Sequence, residues 1–83
     1  MNNKNVLLDN LEKIHTTPMG VERICRNLNL SDDVTDVVSW CRERIYDERC
    51  EITRNGKNWY CKIDDAIITV NAYSYTIITA HKA

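Results

Sequence analysis

The chain reads Arg54-Asn55-Gly56-Lys57 near its middle, and Asn-Gly between alternating apolar residues is the strongest short signal for two antiparallel strands joined by a tight turn. If Asn55-Gly56 is a two-residue loop, Ile52 faces Trp59 and Cys50 faces Cys61. A second tight turn at Asp64-Asp65 then sets Ile63 against Ala66, Cys61 against Ile68 and Trp59 against Val70. Both turns keep the same face apolar across three strands, which fixes which residues point inward. The opposite face collects Glu51, Thr53, Asn58, Tyr60, Lys62, Ile67, Thr69 and Asn71. A fourth strand, Tyr75 to His81, follows Ala72-Tyr73-Ser74. A three-residue loop there buries Thr76, Ile78 and Ala80 and turns Tyr75, Ile77, Thr79 and His81 outward, whereas a two- or four-residue loop reverses this. The three-residue loop is the preferred reading.

Upstream of Cys50 the period is helical. Leu7, Leu11 and Ile14 share one face of a helix predicted from Asn3 to Ile14. Pro18 opens a second, with Thr17 as cap, and Val21, Ile24, Cys25 and Leu28 form its inward stripe up to Asn29. Val34, Val37, Val38, Cys41 and Ile45 mark a third, with Ser31, Asp32 and Asp33 at its positive end and Arg42, Arg44 and Arg49 towards its negative end. Trp40, at the margin of that stripe, is peripheral core or an interface anchor. The expected fold class is α+β, three N-terminal helices packed on one face of a four-stranded antiparallel meander. One domain spans 1–83, with a helical half at 3–47 and the meander at 50–81.

Composition excludes several classes. A hydrophobic share of 43% with 28% charged residues is globular, and 83 residues leave room for one core. Net charge is −1, with four basic against six acidic side chains in residues 1–41 and seven against six in 42–83, too even to announce a nucleic acid or a membrane as partner. No stretch reaches the roughly 20 apolar residues of a membrane span, and the first ten residues lack the apolar core of a signal peptide, so the cytosol is the expected address. Cys25, Cys41, Cys50 and Cys61 show neither metal nor disulfide spacing and read as small buried hydrophobes. No metal or cofactor is implied. Residues 21–45 superficially resemble a DNA-binding helix-turn-helix, but the reading element would begin at Asp32-Asp33 with Asp36 close behind, and carboxylates are repelled by phosphates.

Three blocks, HTTPMGVERI (His15 to Ile24), GKNWY (Gly56 to Tyr60) and ITVNAYSYTIITAHK (Ile68 to Lys82), resemble a family of small bacterial proteins known as a domain of unknown function. The resemblance covers nearly the whole chain and implies a bacterial origin, without catalytic residues to carry over. A looser similarity links the helices-then-sheet order and the last strand to RelE, BrnT and barnase-like ribonuclease toxins. Those enzymes hold phosphate with a richer set of arginines and lysines than this chain carries.

Two functions follow. The first is a non-catalytic binding module for a protein or RNA partner on the polar sheet face, with Asn58, Tyr60, Thr69, Asn71, Tyr75 and Thr79 as its contacts. Exposed aromatics on a sheet can stack on bases, and Tyr60, Tyr73 and Tyr75 are also good strand formers in their own right. The second is a metal-independent endoribonuclease in which His81 acts as acid or base and Lys62 or Lys82 holds phosphate. Against it, His81 sits near a frayed strand end. His15 reads as a capping or turn residue. A homodimer through an edge strand or Trp40 is a third class.

Overall fold

The Asp64-Asp65 turn sets the centre of the sheet as expected. The computed structural model describes residues 3–31 and 34–82. Strand β1 (Glu51–Asn55), β2 (Asn58–Ile63), β3 (Ala66–Asn71) and β4 (Ile77–Lys82) form one antiparallel sheet in the order β1-β2-β3-β4. Across β2 and β3 the pairs are Ile63 with Ala66, Cys61 with Ile68 and Trp59 with Val70. Asp64 takes a left-handed φ of 53°, which a short polar side chain tolerates.

The first hairpin differs from its expected register. Its turn residues are Gly56 and Lys57, so Asn55 pairs with Asn58, Arg54 with Trp59 and Ile52 with Cys61. Gly56, with φ +63°, sits at the first central position, where glycine is the favoured residue of a type II′ turn. Ile52 and Trp59 still share a face, because the slip is a whole pleat. Hydrophobic alternation fixes the face a residue occupies and is blind to a shift of two.

The last strand uses both registers. Thr69 pairs with Thr79 but Val70 pairs with Ile77, so Ile78 is an extra residue bulged out of the ladder. Ala80 is buried and Thr79 and His81 point away from it, as the preferred register has it. Before the bulge the order reverses: Ile77 is 1% exposed and Ile78 40%. Residues 72–76 connect the two strands, and Asn71 N–H donates to Thr76 O (2.8 Å) and Tyr75 N–H to Asn71 O (2.9 Å). Tyr75 has φ 60° and belongs to this loop, not to the strand.

In the helical half, α1 covers Asn3–Leu8 and stops well short of Ile14. The Asn10 side-chain amide donates to Val6 O (2.7 Å), the carbonyl its own backbone N–H would have used, while that N–H moves to Leu7 O (3.0 Å). Such competition ends a helix. A 3₁₀ turn, Leu11–Lys13, follows, and Leu7 and Ile14 are fully buried while Leu11 is half-buried.

Helix α2 (Pro18–Leu28) has Thr17 as its cap, whose Oγ1 accepts from Gly20 N–H (3.0 Å), and ends at Asn29 with φ 52°. Helix α3 (Val37–Tyr46) begins later than its apolar stripe, because Asp36 caps it: Oδ1 accepts from Ser39 N–H (3.0 Å) and Oδ2 from Ser39 Oγ–H (2.9 Å). Asp32 and Asp33 lie outside the described residues. Arg42 of α3 donates through Nη2 to Ile14 O (2.7 Å) and Glu12 O (3.2 Å), tying that helix to the end of the 3₁₀ turn.

Buried side chains from both halves merge in one cluster, with Leu7, Ile14, Ile24 and Ile45 meeting Trp59, Ile68, Val70 and Ile77. Each aliphatic member contributes about 1.5–3 kcal/mol through removal from water. The link after the 3₁₀ turn adds to the sheet: His15 N–H donates to Tyr75 O (3.1 Å), Ile77 N–H donates to His15 O (2.8 Å), and His15 forms a parallel bridge with Thr76.

Candidate functional site

Register assigns the sheet face turned away from Trp59 three cross-strand rows: Asn55, Asn58 and Asn71; Thr53, Tyr60, Thr69 and Thr79; and Glu51, Lys62, Ile67 and His81. Tyr60 is 36% exposed, whereas Thr69, in a middle strand, is only 6% exposed. Thr79 Oγ1 accepts from Asn27 Nδ2 of α2 (3.4 Å). Asn71 is committed to the β3–β4 loop: its Oδ1 accepts from Tyr73 N–H and Ser74 N–H (both 2.9 Å) and from Ser74 Oγ–H (3.1 Å). Tyr60 is the exposed member of this expected face, while Asn58 is half-buried with its Oδ1 buried and without a partner among the described residues. Tyr75 is not on it. Its ring centre lies 5.4 Å from that of Trp59, tilted by 42°, because a left-handed backbone turns it back onto the core.

The three residues expected to cleave RNA are not gathered. Lys62 and His81 share a row but flank β3, two strand spacings or about 10 Å apart. Lys82 pairs with Ala66 in the row of Ile63, on the other face. His81 is exposed and has no hydrogen-bond partner among the described residues.

Side-chain chemistry concentrates instead at the end of the sheet where the β1–β2 turn meets the β3–β4 loop. Ala72 N–H donates to Lys57 O (2.7 Å), locking the two together. From one side of this end to the other, two cations are interleaved with three rings. Lys13 Nζ lies 5.6 Å from the Tyr75 ring centre, Tyr75 packs on Trp59, and the Arg54 guanidinium lies 5.6 Å from Trp59 and 5.7 Å from Tyr73. Arg54 Nε–H also donates to Gly56 O (2.9 Å), which holds the guanidinium in place. Tyr73 is 73% exposed, so its ring is open. Lys13, Arg54 and Lys57 form no ion pair among the described residues.

Beside this ladder runs a hydroxyl chain. His15 Nδ1 lies 2.9 Å from Lys13 O, and a carbonyl only accepts, so Nδ1 carries the hydrogen. In the neutral ring Nε2 then accepts from Thr76 Oγ1–H (3.1 Å), and Ser74 Oγ–H shares its one hydrogen between Thr76 Oγ1 (2.8 Å) and Asn71 Oδ1 (3.1 Å). His15 is thus more than a turn residue: it cross-links segments 61 positions apart. The sequence missed His15, Thr76 and Ser74 as a unit because nothing local announces a long-range pair. The polar spacing Asn71, Tyr73, Ser74 was a readable signal, being that of an Asn side chain accepting from the N–H groups two and three residues on.

Perturbed ionisation lies elsewhere. Hydrogen bonds from Arg49 hold Asp47 down to about 2, and those from Ser39 lower Asp36. Burial pushes the Cys41 thiol up to about 12, and a hydrogen bond with Cys50 together with burial raises that of Cys61. Raised thiols are poor nucleophiles, which leaves Cys41 and Cys61 as packing residues. Among the described residues no cluster of three or more His, Cys, Asp or Glu side chains could hold a metal ion, and no helix is long and apolar enough to cross a membrane.

Residues 8–81 match the model of a family described as "Protein of unknown function (DUF3781)", and the chain belongs to that family. No curated protein and no solved structure matches it.

Proposed function

We propose that this member of the DUF3781 family is a non-catalytic module that binds single-stranded RNA, with its contact centred on the turn end of the sheet. The observation that carries the reading is the Arg54 guanidinium held between the Trp59 and Tyr73 rings, next to Lys13 and Lys57, with none of the three cations neutralised by a carboxylate among the described residues. An open ring beside fixed cations is the combination single-strand binders use: bases stack on the ring and phosphates meet the charge. The overall charge of −1 does not oppose this, since a Debye length of about 8 Å lets a local patch act independently of the far end.

Of the three tyrosines expected to stack, Tyr73 has the open ring at this end, and Tyr75 is turned onto Trp59. Lys57, Asn58 and Tyr60 carry the strand from the turn onto the polar face, towards Thr79, Lys62 and His81. Anisotropy of a labelled oligouridine, measured against salt, tests it. Tyr73→Ala should weaken binding by about 1–3 kcal/mol. Arg54→Ala and Lys57→Ala should each lower the salt slope by about 0.7, the value for one single-strand phosphate contact. Binding indifferent to all three variants, or amide shifts confined to the helices, would overturn the proposal.

A further inference from the structure

At the opposite end of the sheet, the last turn of α2, α3 and the β2–β3 turn enclose a groove of about 230 Å³. Its floor is apolar, from Leu28, Leu30, Ile63 and Ala66, and Trp40 forms a wall. The Arg44 guanidinium stacks on Trp40 at 4.2 Å, so one cation is held in a fixed place at the mouth. Lys82 supplies a second, and Asp65 supplies a carboxylate on the same rim. Lys82 and Asp65 form no ion pair with each other or with any other described residue. Arg44 Nη1 lies 3.6 Å from Glu43 Oε2, and Asp64, which also lines the groove, lies 3.9 Å from Arg49, so Lys82 and Asp65 are the opposite charges left unpaired above a surface that favours a hydrocarbon side chain.

We infer that this groove binds a free apolar α-amino acid, its carboxylate on Arg44 and Lys82, its ammonium on Asp65 and its side chain against Trp40 and the floor. The size agrees, since drug-sized ligands occupy about 300–1,000 Å³ and this space is smaller. A peptide end would bring one charge to the rim and not both. The site shares no residue with the turn end, and the inference stands independently of RNA binding.

The test is a titration of the isotope-labelled wild-type protein with leucine and phenylalanine, following the Trp40 indole N–H and the amides of Ala66 and Lys82. Both amino acids should give saturable shifts at these positions while the buried Trp59 indole N–H stays still. 4-Methylpentanoate, isoamylamine and N-acetyl-leucine each lack one charge and should bind about tenfold or more weakly, the loss expected for one charged hydrogen bond. Arg44→Gln should weaken leucine by a similar factor and leave isoamylamine unchanged. Equal binding of a singly charged analogue, or no saturable shift with either amino acid, would overturn the inference. The analogue series needs no variant, so it stands even if Arg44→Gln fails to fold.

Discussion

Replacing Gly20 by alanine should destabilise the protein even though alanine is the better helix former. Gly20 sits in the first turn of α2, and a methyl group there would overlap Thr16 Oγ1 and lie 3.3 Å from Thr17 Oγ1. Thr16 Oγ1–H donates to Ile77 O (3.1 Å), one of the bonds that hold the link onto β4. Relieving the overlap turns the Thr16 side chain away from that carbonyl. The propensity gain is at most about 1 kcal/mol. Against it stand the lost hydrogen bond, about 0.5–1.5 kcal/mol, a side chain forced off its rotamer, about 0.5–1.5 kcal/mol, and pressure on the Thr17 cap, which is worth about 1 kcal/mol. The net expectation is a loss of about 1–2 kcal/mol, or roughly 5–15 °C in Tm for a domain of this size. Urea and thermal unfolding followed by circular dichroism would measure it. A double-mutant cycle isolates the cause: Thr16→Ala removes the obstructing oxygen, so Gly20→Ala on that background should be neutral or stabilising by up to about 1 kcal/mol. If Gly20→Ala alone raises Tm, Thr16 swings aside without cost and the reasoning is wrong.

The bulge predicts opposite outcomes at adjacent isoleucines: Ile77→Ala should cost about 2–5 kcal/mol and Ile78→Ala within about 0.5 kcal/mol, and urea midpoints that rank the other way would refute the register. The Asp47 carboxyl is lowered from 3.8 to about 2, so its contribution to stability is complete above 3.8 and is lost as pH falls through about 2. Asp47→Asn should therefore lower Tm at neutral pH and flatten the decline of Tm over that acid interval. With a thiol reagent, half-buried Cys25 should label first and Cys41, Cys50 and Cys61 only as the protein unfolds. Equal labelling of all four in the folded protein would contradict the packing.

Different parts of the structure were legible to different degrees, for physical reasons. The β2–β3 register followed from sequence because Asp64-Asp65 admits one tight turn and the apolar face confirms it. The β1–β2 register slipped by a pleat because Ile52 faces inward in either alignment, and only the demand for glycine at a positive φ separates them. Pattern alone could not place Tyr75, since a single left-handed residue and one bulge change the direction of side chains without altering composition. Thr17, Pro18 and Asn29 announced α2, being local signals. Asn10 truncated α1 by a side-chain bond that helical periodicity does not encode. The candidate site was the least legible, because Lys13, His15, Arg54 and Tyr73 come together only when the link joins β4 and the turn joins the loop.

The parallel bridge at His15 also governs how sheets of different molecules could meet. Along the start of β4 the outward N–H and C=O groups are already taken by the link, and α2 lies against the same strand. Strand β1 has a hydrogen-bonded neighbour on one side only, β2. An unpaired strand edge is a template for another chain, so the link closes the start of β4 to strand addition while β1 keeps an outer edge with no strand beside it among the described residues.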